Sequence, residues 1–252
     1  MKIEKVGFVD VIIAIILRLR ASKKNDFPLM NYALPILAVL LSFAFVYIVK
    51  PQNRSNFKLL LAFSGAFLLA LTLFELFPSV YENGYPKKVG LFVMLGILFQ
   101  IFLEFFSKGA EHGHVHLDSE KELFPWLLFA SLCVHSFLEG FPIHHHDTII
   151  YGILIHKAPI AIILSIFLLN SKIPLKKAFF FITIFSLMTP LGSYIADHAD
   201  WADTYFAPIN ALVIGVFLHI STVILFESSE GHTFNLRKIV AIIFGIAIAY
   251  FL

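Results

Sequence analysis

Seven ionisable side chains fall inside long apolar stretches of this chain: Glu75, Glu104, His135, Glu139, His156, Lys157 and His219. A charge in hydrocarbon is costly, so each is a functional candidate. The densest set lies in two neighbouring segments. HSFLEG, His135 to Gly140, puts His135 and Glu139 four residues apart on one helix face, with Ser136 at its edge. HKAPIA, His156 to Ala161, sets His156 beside Lys157 and shortly before Pro159. Pro159 lacks a backbone donor, so it disturbs a helix near His156 and frees the carbonyl of Ile155. Loosened backbone at membrane depth is tolerated only where it is buried or lines a polar cavity. Two imidazoles and one carboxylate suit a borderline divalent metal such as zinc, iron or manganese. The same residues could equally form a satisfied polar network, His135–Glu139–His156–Lys157, that only joins two helices. Taken alone, they leave both readings open.

Further ligand-type residues lie outside the apolar stretches. AEHGHVHLD carries His112, His114 and His116 in alternation, and flexible histidine tracts bind metals loosely. HHHD, His144, His145, His146 and Asp147, follows one helix-end beyond Glu139. Ligands are thus strung along a path from one side of the apolar region to the other.

The elements that must position these groups follow from composition. The chain has 252 residues, 59% of them hydrophobic and only 14% charged. Soluble chains run to roughly 25% charged. With a mean hydropathy of +0.85, the bulk of the chain belongs in a bilayer. That excludes a large soluble domain and a nucleic-acid reader. Cys133 is the single cysteine, so no intrachain disulfide is available. The apolar segments are continuous rather than alternating, which excludes a transmembrane β-barrel. At about 20 residues per crossing, the pattern predicts an all-α integral membrane protein with eight transmembrane helices, near 30–49, 57–77, 88–106, 123–142, 148–169, 175–195, 205–226 and 239–252. The eighth is short, so it needs cover from neighbours or a thinned bilayer. Its small residues Ala241, Gly245 and Ala249 permit close helix packing. That stripe favours packing within the protomer, and a homodimer stays an open alternative.

Lys50, Arg54, Lys58, Lys108, Lys121, Lys172, Lys176, Lys177, Arg237 and Lys238 lie around the connections after spans 1, 3, 5 and 7. Only Lys87 and Lys88 follow spans 2, 4 and 6, and the connection after span 6 is acidic, with Asp197, Asp200 and Asp203. The positive-inside rule makes the first set cytoplasmic. Both ends of the 30–252 core then face outside, and the histidine-rich loop within 107–122 is cytoplasmic. Residues 1–29 do not fit this frame. Phe8–Leu19 is short, is interrupted by Asp10 and is followed by Arg20, Lys23 and Lys24. It reads as an interfacial helix, as a signal-like segment without a small-residue cleavage site, or as sequence upstream of a start at Met30.

The chain resembles the ZIP (Zrt/Irt-like) divalent-metal transporters over about residues 30–252. HSFLEG is similar to that family's fourth-span signature, and HKAPIA to its fifth-span signature in the HK variety. A histidine-rich cytoplasmic loop before the fourth span is a further family habit. The resemblance implies eight helices in a 3+2+3 arrangement, the outer triplets related by inverted symmetry. By motif it implies His135, Glu139 and His156 as metal ligands. Members with a two-metal centre have acidic residues where Lys157, Ile160 and Thr189 stand, and Asn where Ser136 stands. The resemblance therefore implies one metal ion here, with the Lys157 ammonium in place of a second cation, where it can partly neutralise Glu139. Glu75, in LFELFP, occupies a position that is His in many members; it is read as an added ligand, a gate or a partner for a neighbouring helix. His219, in GVFLHIS, stands at a usually aromatic position and is read as packing.

The favoured function is transport of a divalent cation into the cytoplasm, zinc first, with iron or manganese as alternatives. The metal is cargo, not a cofactor, and the partners are metal ions and the lipid bilayer. The rival is an intramembrane hydrolase or oxidase, since three ligands with an open position are also a catalytic zinc pattern. A metal sensor that binds without transport is the blander reading. Abundant Phe (29 residues), Ile and Lys in so short a chain suggest a bacterial cell membrane, with multiple passes.

Overall fold

The computed structural model describes residues 28–51, 54–107, 126–144, 148–171, 173–227 and 236–252. All regular structure among them is helical. Seven helical stretches are long and apolar enough to cross a membrane, and an eighth, Leu236–Phe251, is 16 residues long, about 24 Å. The chain is an all-α membrane protein of about eight spans.

Span 1 is Pro28–Val49. Span 2 starts as Arg54–Leu71, widens into a π-helical turn at Thr72–Leu76 and resumes as Phe77–Asn83. Pro78 has no N–H for the carbonyl of Phe74, and its ring would crowd that carbonyl in a regular helix. The wider turn passes the Phe77 N–H to Thr72 O instead. Span 3 is Pro86–Ser107. Span 4, Trp126–Leu138, ends early and passes through Glu139 and Gly140 into a 3₁₀ turn, Phe141–His144. Span 5 is Ile149–Asn170, span 6 Leu175–His198 and span 7 Phe206–Glu227. A five-residue helix, Asp200–Thr204, links spans 6 and 7. Span 8 is Leu236–Phe251. The expected disturbance at Pro159 is not a break: span 5 is one continuous α-helix. Its flanking turns carry the ladder across the single missing donor.

The most extensive packing joins span 3 to span 7, span 2 to span 8, and span 1 to spans 5 and 6. Exchanging spans 1, 2, 3 and 4 with 6, 7, 8 and 5 turns the 3–7 contact into 8–2 and the 1–5 contact into 6–4. All four pairs are present, as inverted triplets around a central helix pair require.

Two hydrophobic cores result. The first draws on spans 2, 3, 7 and 8 and on Ile149, Ile150, Ile153 and Ile155 of span 5. The second draws on spans 1, 4 and 6 and on Ile160, Ala161, Leu164, Phe167 and Leu168 of span 5. Span 5 changes cores across the few residues that include His156 and Lys157. In the first core Gly96 and Gly215 let spans 3 and 7 meet backbone to backbone. A Cβ on Gly96 would lie 2.0 Å from Leu212 O, and one on Gly215 2.1 Å from Val93 O. The small stripe on span 8 packs inside the protomer: a Cβ on Gly245 would lie 2.8 Å from Phe63 O of span 2.

Candidate metal site

His135 sits in the last turn of span 4, and Glu139 in the turn just past its end. The Glu139 N–H still bonds to His135 O at 3.2 Å, so the four-residue spacing stays helical although the helix has stopped. His135 Nε2 is 2.8 Å from Glu139 Oε1. His156, facing them from span 5, places Nε2 4.0 Å from the same oxygen. One ligand atom from each of the three residues lies within 4.8 Å of the others. The two rings stand nearly perpendicular, at 82°, with centroids 6.1 Å apart. His135 and Glu139 are 1% exposed and His156 0%. This is the one group of three or more His, Cys, Asp or Glu among the described residues whose atoms could converge on a metal ion.

The other carboxylate oxygen is held differently. Lys157 Nζ donates to Glu139 Oε2 at 2.6 Å and to Ser136 Oγ at 2.8 Å, and lies 5.0 Å from the centroid of the Phe185 ring. Thr189 Oγ1 donates to Ser136 O at 2.8 Å and lies 3.1 Å from Ser136 Oγ and 3.4 Å from Glu139 Oε2. The carboxylate is therefore split: Oε1 faces the imidazoles and Oε2 faces an ammonium. A buried charge pair is tolerable only with such close geometry and added hydrogen bonds. Ser136 and Thr189, which stand where two-metal members have Asn and an acidic residue, complete the hydrogen-bonding around Lys157.

This proximity depends on two glycines the sequence reading passed over. A Cβ on Gly140 would lie 2.2 Å from Thr189 O, and one on Gly192 2.0 Å from Phe137 O. Spans 4 and 6 thus touch backbone to backbone beside Glu139. The available signal was Gly192 standing three residues after Thr189, one helical turn along the same face. Phe185 was also passed over; four residues before Thr189, it shares that face.

The remaining candidates lie elsewhere. Glu75 is in the π-helical turn of span 2 and outside the ligand group. His219 is more than packing: its Nε2 is 2.6 Å from Glu104 Oε2. That pair ties spans 3 and 7 within the first core. His144 closes the 3₁₀ turn after span 4. His145, His146 and Asp147 lie outside the described residues, as do His112, His114, His116 and the N-terminal extension up to residue 27.

Comparison with known proteins adds an independent line. A family model described as ZIP Zinc transporter matches residues 107–252. Zinc transporter ZIP1 of Danio rerio is 30% identical over 127 residues, covering 45% of this chain and 42% of that protein. Zinc transporter ZIP1 of Takifugu rubripes is 30% identical over 149 residues, 54% of this chain and 49% of that protein. The matches thus span about half the length of these curated relatives.

Proposed function

The chain belongs to the ZIP zinc transporter family, and on that premise we propose that it carries divalent metal into the cytoplasm through a mononuclear site of His135, Glu139 and His156. Zinc is the favoured cargo, with iron or manganese as alternatives. The observation that carries this reading is the buried convergence of one ligand atom each from His135, Glu139 and His156 within 4.8 Å, between spans 4 and 5. Three protein ligands leave room for water on the ion. A transport site needs that, because it must strip hydration on entry and release its cargo on exit. A closed four-ligand set is the structural pattern. The match of Lys157 Nζ to Glu139 Oε2 supports one ion, since an ammonium there repels a second cation. His144, His145, His146 and Asp147 would gather ions outside, and His112, His114 and His116 would receive them inside.

Membership in a family of transporters weighs against the hydrolase or oxidase reading. So does the site, where the nearest further ionisable group is a cation held in an ion pair rather than a base. The charge asymmetry of the connections supports a cell-membrane orientation with both ends of the core outside.

The test is metal uptake into proteoliposomes with several metals in competition. Wild-type protein should take up zinc. Substituting His135, Glu139 and His156 together by Ala should abolish uptake while insertion persists. Near-normal uptake by that variant would sink the assignment.

A further inference from the structure

The division of labour between the two oxygens of Glu139 has a consequence for which ions fit. A carboxylate can bind a cation through one oxygen or chelate it through both. Large or hard ions such as Mn²⁺ favour octahedral, oxygen-rich shells, whereas zinc is content with a tetrahedral set including imidazoles. In this chain Oε1 alone faces the two imidazole nitrogens. Oε2 is drawn away by Lys157, which is itself fixed by Ser136 and by the face of Phe185. The next nearest donor to Oε2 is the Thr189 hydroxyl, at 3.4 Å and already committed to Ser136 O at 2.8 Å. Without Lys157 little would keep Oε2 from swinging toward a bound ion.

We propose that Lys157 is a positioning residue that restricts Glu139 to one-oxygen coordination, so that the site favours ions satisfied by a tetrahedral shell over ions that need an octahedral one. This rests on the metal-site reading above and deepens it: the same three ligands would be less selective if the carboxylate could chelate. The residue argued to set the choice touches no metal.

The experiment uses the full chain in lipid nanodiscs, titrated with Co²⁺ alone. Four-coordinate Co²⁺ absorbs strongly in the visible, and six-coordinate Co²⁺ weakly, so the spectrum reads geometry independently of transport. Wild-type protein should give the strong bands. Lys157→Met, which keeps an apolar stem against Phe185, should weaken them at saturating Co²⁺. In parallel, its preference for Zn²⁺ over Mn²⁺ by equilibrium binding should fall by about tenfold, in the range for loss of a group that orients a ligand. Ser136→Ala removes one anchor of the ammonium and should move both readouts the same way by less. It also keeps the proposal testable if Lys157→Met does not fold. A wild-type spectrum without strong bands overturns the proposal. So does a folded Lys157→Met with unchanged spectrum and metal preference, or one that no longer binds Co²⁺. Where Lys157→Met does not fold, an unmoved Ser136→Ala overturns it. The combined Ala variant of His135, Glu139 and His156 separates the two levels. If that variant keeps the wild-type spectrum, the site assignment itself fails; if it loses the spectrum and Lys157→Met does not, only the role of Lys157 fails.

Discussion

The two cores are built from the same material and by the same device, yet they differ in what they bury. In each, a pair of helices running in the same direction meets at facing glycines: Gly96 with Gly215 in the first core, Gly140 with Gly192 in the second. Around Gly96 and Gly215 the chain buries mainly Val, Ile, Leu and Phe, and the Glu104–His219 contact between the same two spans is partly exposed. Around Gly140 and Gly192 it buries His135, Ser136, Glu139, His156, Lys157 and Thr189 almost completely. Close backbone approach is thus a packing device in one place and a means of focusing polar groups in the other. Hydrocarbon supplies no water to repair an imperfect contact, so the second core must satisfy its polar atoms internally.

The sharpest way to break this contrast is at the charge pair. Glu139→Ala should lower metal affinity by at least about 100-fold, the upper range seen for supporting residues being a floor for a direct ligand. It also strands the Lys157 ammonium, so the variant should lose about 3–5 kcal/mol of stability. Adding Lys157→Met to Glu139→Ala should recover most of that stability and none of the affinity. Thermal unfolding and equilibrium metal binding on the same samples separate the two effects. Recovery of affinity in the double variant would show that Glu139 is not a ligand.

Next in size is a matched pair of glycine substitutions. Gly192→Ala and Gly215→Ala each drive a Cβ to about 2 Å from a backbone carbonyl, and overpacking of this kind costs about 1–3 kcal/mol. Both variants should unfold at lower temperature. Gly192→Ala should also weaken zinc binding, because it pushes Thr189 and span 6 away from Glu139 and Ser136; Gly215→Ala should not. Equal affinities in the two variants would erase the functional distinction between the cores.

Acidification probes the second core without mutation. A histidine must be neutral to ligate, so protons compete with the metal for it. Zinc binding should therefore weaken on acidification, and the proton competition should disappear when both histidines are replaced. Equal sensitivity to acid in wild-type protein and in a variant lacking His135 and His156 would exclude them as ligands. The smallest expected effect is on the connecting loop. Deleting residues 110–118, with His112, His114 and His116, should leave most of the uptake rate, since a tether outside the membrane does not form the dehydrating site. Loss of uptake by a folded deletion protein would place that loop on the obligatory path.

Much of this was legible in the sequence because hydrocarbon is an unforgiving solvent. Continuous apolar runs located all eight helices to within a few residues at most ends. The convergence of His135, Glu139 and His156 was readable because HxxxE puts two ligand-type side chains on one face and an intramembrane histidine demands a reason. Three things were hidden. The π-helical turn around Glu75 needed knowledge of how span 2 absorbs Pro78. The partnership of His219 with Glu104 spans 115 residues, and no local pattern announces it. The work of Ser136, Thr189 and Phe185 was hidden because small hydroxyl residues and Phe are ordinary in helices. The backbone contact at Gly140 and Gly192 brings Thr189 close to span 4, and with it the group around Lys157.

The salt bridge between Lys157 and Glu139 also bears on the half of a transport cycle that moves nothing. A carrier must return without cargo, and a lone carboxylate facing hydrocarbon on that return would raise the barrier by several kcal/mol. Here Glu139 already has its own cation, covalently tethered and unable to leave. In a cycle of the proposed kind, the unloaded protein would present a nearly neutral interior during the return stroke. Under the proposed function, Lys157 would act as a permanent counter-ion, keeping Glu139 compensated whether or not cargo is bound.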